Sequence, residues 1–168
     1  IQRPDGELLC SYGVGGGALV TGHTEFSSSS DFGRTWERRG IILPKNDEIG
    51  RANFLKLTQT PNGETIYAYG SWVSDEVDDG FGERDMRAIY CKSTDGGESW
   101  SEEISIPFPE DCPLEVSHGL TVLSSGRLLA PAAVLPDKNR FGETVYVALS
   151  DDSGSTWRYQ KAFQCSEG

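Results

Sequence analysis

The 168-residue sequence predicts an all-β fold, a β-propeller of four-stranded antiparallel blades with about three blades present. Two repeats that run in phase carry this expectation. The pattern S-x-D-x-G-x-[ST]-W, here called the box, occurs three times: at Ser29, Asp31, Gly33, Thr35 and Trp36; at Ser93, Asp95, Gly97, Ser99 and Trp100; and at Ser150, Asp152, Gly154, Thr156 and Trp157. Ahead of each box a glycine turn leads into an apolar run, PDGELL with Gly6, PNGETI with Gly63 and SSGRLL with Gly126. Asp31 and Asp95 are 64 positions apart and Asp95 and Asp152 are 57 apart, so one unit is about 60 residues.

Each unit divides into four short strands. Strand A precedes the glycine turn (53–58 and 120–123), strand B follows it (8–12, 65–69 and 128–132), strand C leads into the box (86–92 and 144–149), and strand D starts at the box tryptophan. The blades are expected at about 1–44, 50–107 and 116–165, in one propeller segment. A composition with 20 Gly, 8 Pro and 36% apolar residues suits such a turn-rich β-protein.

Charge and hydropathy exclude two classes of partner. A formal charge of -11 with no basic stripe argues against nucleic acid. No apolar stretch approaches the roughly 20 residues of a membrane span, and the chain has neither an initiating Met nor a signal peptide, so a soluble chain, processed or excised, is expected. Cys10 and Cys91 fall in apolar strand runs, where a free buried thiol is expected; Cys112 and Cys165 lie at comparable points after a fourth strand, where a disulfide is an alternative.

The box residues read as structural. A Ser and an Asp can bond N–H groups of their own turn, Gly takes a conformation a Cβ hinders, and Trp packs into the blade. Recurrence once per blade spreads the aspartates around a ring, too far apart to share a substrate. A–B and C–D turns leave one face of the propeller, so binding residues are expected on the other, on segments 13–17, 43–53, 73–87, 107–119 and 135–143. There the 75–85 loop is the most acidic, with Asp75, Glu76, Asp78, Asp79, Glu83 and Asp85. It reads as a solvated loop, with a calcium site as a competing reading. Strand A lines the central channel, which points Arg51, Asn53, Glu115, Ser117 and His118 toward a ligand, and Trp72 could stack on a sugar ring.

The box and its spacing resemble the Asp-box, or BNR, repeats of the sialidase superfamily, and the resemblance covers nearly the whole chain. It implies a ring of six blades, of which this chain holds half. It also implies an acid/base Asp on a B–C loop before strand C, which here is Asp85, and an arginine clamp for a substrate carboxylate. Aligned on the glycine turns, the clamp positions carry Asn53, with Arg51 two residues early, Trp72 or Gly15, and Ala133; the expected Glu position carries Ser117, with Glu115 two residues off. The resemblance is therefore to sialidase-like BNR proteins rather than to a complete sialidase. The expectation is a glycan-directed propeller, a glycoside hydrolase of exo-sialidase type or a carbohydrate-binding protein, with catalytic candidates Asp85, Glu115 and His118 and substrate-binding candidates Arg51, Asn53, Trp72 and Arg87. A protein-interaction propeller, or a three-blade unit pairing as a homodimer to close a six-blade ring, is the alternative.

Overall fold

Turns decide the architecture, because each unit reverses direction at a glycine turn and again at a box. The computed structural model describes residues 1–15, 22–46, 51–74, 85–109, 113–135 and 144–165. Among them every regular element is a strand, and no helix is long and apolar enough to cross a membrane. The strands are β1 (Leu8–Val14), β2 (His23–Ser29), β3 (Glu37–Leu43), β4 (Arg51–Gln59), β5 (Ile66–Ser74), β6 (Met86–Ser93), β7 (Ile104–Ser105), β8 (Leu114–Glu115), β9 (Thr121–Val122), β10 (Leu128–Val134), β11 (Thr144–Ser150) and β12 (Arg158–Gln164). They form three antiparallel sheets, β1-β2-β3, β4-β5-β6-β7 and β12-β11-β10-β8, with β9 also on β10. These are three blades of a propeller. The first lacks a regular inner strand, although Gln2 bridges to Leu8 and Ile1 exchanges backbone bonds with Leu9.

The glycine turns need glycine. Gly6, Gly63 and Gly126 have φ of 93°, 71° and 84°, and each donates its N–H to the carbonyl three residues back, Arg3, Thr60 and Leu123. The strands behind them pack face to face in two apolar seams. Leu9, Phe26 and Ile42 of the first blade meet Ile66, Ala68, Trp72, Ile89 and Cys91 of the second. The second blade's other face, with Tyr67, Tyr69, Ala88 and Tyr90, meets Leu128, Ala130, Ala132, Tyr146 and Ala148 of the third. The central strand β5 is accordingly buried on both faces, whereas β10 alternates between buried and half-buried.

Three details depart from expectation. The inner strand of the third blade is in two pieces: within the expected 120–123 it is regular only as β9, paired with Leu128 and Leu129, and an earlier piece, β8, pairs with Ala133 and Val134, with 116–120 leaving the ladder between them. Strand D of the second blade begins only at Ile104, four residues after Trp100. Cys10, expected to be buried, is exposed on a face of the first blade that none of the described residues covers, while Cys91, in the first seam, is fully buried and burial pushes its thiol up to about 12. The Asp75–Glu83 carboxylates behind the calcium reading, and Cys112, lie outside the described residues.

Candidate functional site

At every box the serine ends a strand and the chain turns around the aspartate. In the first, Ser29 Oγ accepts the Gly33 N–H at 2.8 Å and donates to Asp31 Oδ1 at 2.8 Å. Asp31 Oδ1 accepts the Arg34 and Thr35 N–H groups, and Oδ2 accepts the Thr35 hydroxyl at 2.7 Å. Asp95 and Asp152 hold Ser99 and Thr156 in the same way, through both backbone N–H and hydroxyl. These bonds favour the ionised form: the Thr35 N–H and hydroxyl bring Asp31 to about 2, those of Thr156 bring Asp152 to about 2, and Ser99 brings Asp95 well below the usual carboxylate range. A box glycine with φ of 82°, 97° or 91° completes each turn. The box carboxylates are committed to turn geometry.

On the opposite edge, a cavity of about 230 Å³ opens between the second and third blades. Its walls are Phe54 and Lys56 of β4, Ser71 and Val73 of β5, Met86 at the start of β6, and Glu115, Val116 and Ser117 where the inner strand of the third blade breaks. That break makes the site. By leaving the ladder after Glu115, the chain turns the Val116 carbonyl toward β4, where it accepts a 2.7 Å bond from Lys56 Nζ. The ammonium also lies 4.6 Å from the Phe54 ring centroid. Burial lowers the Lys56 pKa, with the Glu115 charge opposing that shift. Lys56 and Glu115 do not close into an ion pair, so Glu115 keeps carboxylate capacity beyond the Ser117 hydroxyl that donates to it, and Lys56 keeps two N–H donors beyond its carbonyl. A carboxylate and an ammonium thus share a largely apolar cleft beside an aromatic ring.

Glu115 is the one expected catalytic residue that lines this cavity. His118 is exposed on the excursion that follows it. Asp85 lies one residue from the cavity-lining Met86 and pairs with Arg87, Nε to Oδ1 at 3.0 Å. The substrate-binding candidates of β4 and β5 face the other seam. Asn53 is 6% exposed, and its role is a joint: Oδ1 accepts from the Thr24 N–H and hydroxyl at 3.0 and 2.8 Å, and Nδ2 donates to the Leu43 and Pro44 carbonyls. Trp72, expected as a sugar platform, is 5% exposed within the first seam, and the Arg51 guanidinium covers its ring at 3.7 Å. Arg51 also reaches Glu103 at 3.5 Å. The sequence reading missed Phe54 and Lys56. Their signal was present: in FLKL a lysine alternates with apolar residues on an inner strand, two positions after an aromatic.

No family model matches the chain, and no curated protein sequence does. Solved structures match it at low identity. A protein of unknown function from Dyadobacter fermentans superposes with a TM-score of 0.70 and 19% identity, over 94% of this chain and 51% of that one. Trypanosoma rangeli sialidase, in complex with the inhibitor DANA, gives 0.67 and 17%, over 94% and 29%. Penicillium chrysogenum alpha-L-arabinanase, complexed with arabinobiose, gives 0.66 and 17%, over 98% and 48%. The chain thus spans about half or less of the length of these structures, and it shares with them the sialidase-like propeller fold.

Proposed function

We infer that this chain is a glycan-directed propeller segment, with the cleft between its second and third blades taking one terminal sugar residue. The observation that carries the reading is the meeting of Glu115, Lys56 and Phe54 in that cleft, on the edge opposite the boxes. Its volume is below the roughly 300–1,000 Å³ of sites for drug-sized ligands, which suits a single ring rather than an oligosaccharide. Phe54 offers an apolar face, Lys56 a fixed donor, and Glu115 an acceptor for sugar hydroxyls. The sialidase and the arabinanase that share the fold both act on glycans, which supports the same ligand class here.

Binding is favoured over hydrolysis. The positions of an arginine clamp hold Asn53, Trp72 and Ala133, and the first two are taken up by the seam. If the cleft hydrolyses, Glu115 is the acid/base group and Asp85 and His118 are the nearby candidates for a second role. The test is saturation-transfer NMR against neutral and acidic mono- and disaccharides, alongside turnover of aryl glycosides. We expect millimolar binding that Glu115→Gln weakens about tenfold and that Lys56→Met also weakens. A chain that binds no sugar, or whose binding both substitutions leave unchanged, would sink this reading.

A further inference from the structure

We propose that Lys56 is a reactive amine, and that the cleft around it captures small aldehydes, the open-chain form of a short sugar among them, by forming an imine at Nζ with Glu115 carrying the protons. The backbone places the amine. Lys56 stands within β4 opposite Tyr69, with Phe54 two positions before it on the same side of the strand. The excursion that interrupts the third blade's inner strand passes over its stem, since a Cβ on Gly119 would lie 3.9 Å from the Lys56 Cβ. The residue lines the cavity of about 230 Å³, whose other walls include the apolar side chains of Val73, Met86 and Val116.

What Nζ touches decides its chemistry. It donates to the Val116 carbonyl at 2.7 Å and lies 4.6 Å from the Phe54 ring centroid, and no carboxylate among the described residues pairs with it. A lysine held by a carboxylate loses an ion pair when it gives up its proton. Lys56 does not, because the carbonyl accepts an N–H from the neutral amine as readily as from the ammonium. One N–H therefore keeps Nζ on Val116 while the freed lone pair serves the cavity. Burial acts in the same direction, lowering the Lys56 pKa against the opposing charge of Glu115. Glu115 lines the same cavity, and the Ser117 hydroxyl is its one hydrogen-bond donor among the described residues, so its carboxylate has sites free for a proton.

The steps balance with these groups alone. Starting from the ammonium and the carboxylate, one proton moves from Nζ to Glu115. The lone pair attacks the aldehyde carbon, the N–C bond forms, and the carbonyl π pair moves onto oxygen. Glu115 protonates that oxygen and takes a second proton from nitrogen, which gives the carbinolamine. It returns this proton to the hydroxyl as the C–O bond breaks, water leaves, and the nitrogen lone pair closes the C=N bond. The net change is ammonium plus aldehyde to protonated imine plus water, and it consumes no oxidant or reductant. This capture uses the cleft already described but does not rest on the binding of a sugar ring.

Timed exposure of the purified chain to propanal, stopped with borohydride, tests this, with peptide mass spectrometry reading which lysine carries the reduced propyl group. At neutral pH Lys56 should be labelled at least about tenfold faster than Lys45, Lys92 and Lys161. Lys56→Arg keeps the charge, and should abolish the fast adduct with unaltered circular dichroism. Glu115→Gln separates proton carriage from electrostatics. Loss of the negative charge alone makes the free amine commoner and moves the rise of the pH–rate profile to lower pH, whereas loss of the proton carrier also lowers its plateau, by about tenfold or more. An unchanged plateau would overturn the role of Glu115, and labelling of Lys56 no faster than that of the other three lysines would overturn the proposal. Propanal cannot close into a sugar ring, so failure here leaves ring binding in the cleft standing, and failure of ring binding leaves the amine to be judged by its labelling.

Discussion

Each box aspartate is a hub of bonds within its own turn. Asp95 accepts from the Ser93 and Ser99 hydroxyls and from the Ser99 N–H, all three of which stabilise the carboxylate over the acid. A folded pKa below the unfolded one contributes stability that is fully present above the unfolded value, near 4, and is lost as pH falls through the folded value, about 2 for Asp31 and Asp152. We expect the melting temperature to fall between pH 4 and pH 2. An Asp31→Asn, Asp152→Asn variant should melt lower at pH 7 and show a shallower decline over that window. Equal acid slopes for the two proteins in a pH series of thermal melts would refute this account.

At the scale of the element, the first seam is joined by polar groups as well as by its apolar core. Thr24 Oγ1 accepts the Leu55 N–H and donates to Asn53 Oδ1, which also accepts the Thr24 N–H, so β2 and β4 are tied through one fully buried hydroxyl. Removing the amide leaves the Thr24 N–H buried without an acceptor. Asn53→Ala should therefore cost about 2 kcal/mol in urea denaturation, within the 1–3 kcal/mol range of an unsatisfied buried group. A loss under about 0.5 kcal/mol would show that water or relaxation replaces the bond. The candidate cleft depends on an interrupted strand: β8 and β9 pair with opposite ends of β10, and the excursion between them carries Val116 to Lys56.

Across the whole molecule, burial is graded by position in the stack. The second blade is covered on both sides, with β5 buried from Ile66 to Val73, while the first and third are each covered on one side by the described residues. Native-state hydrogen exchange should follow this order, slowest in β5 and β6 and fastest in β12, which is largely exposed, and toward the exposed end of β3. Protection of β12 equal to that of β5 would mean that the three blades open as one unit and would remove the gradient.

Local chemistry was readable because it repeats within the sequence. A turn at Gly63 or a box at Asp95 is closed by residues at most five positions apart, so its motif suffices to specify it, and three in-phase copies imply stacked four-stranded blades. The seams and the cleft were decided by tertiary structure, because they join residues 29 to 74 positions apart whose partnership leaves no local pattern: Asn53 with Thr24, Trp100 with Phe26, Lys56 with Val116. On that ground Asn53 and Trp72 belong to a joint although their positions on strands A and B suggested a ligand, and Lys56 lines a cavity although FLKL reads as ordinary strand. Glu115, which strand order directs to the channel, lines the cavity where the inner strand of the third blade breaks.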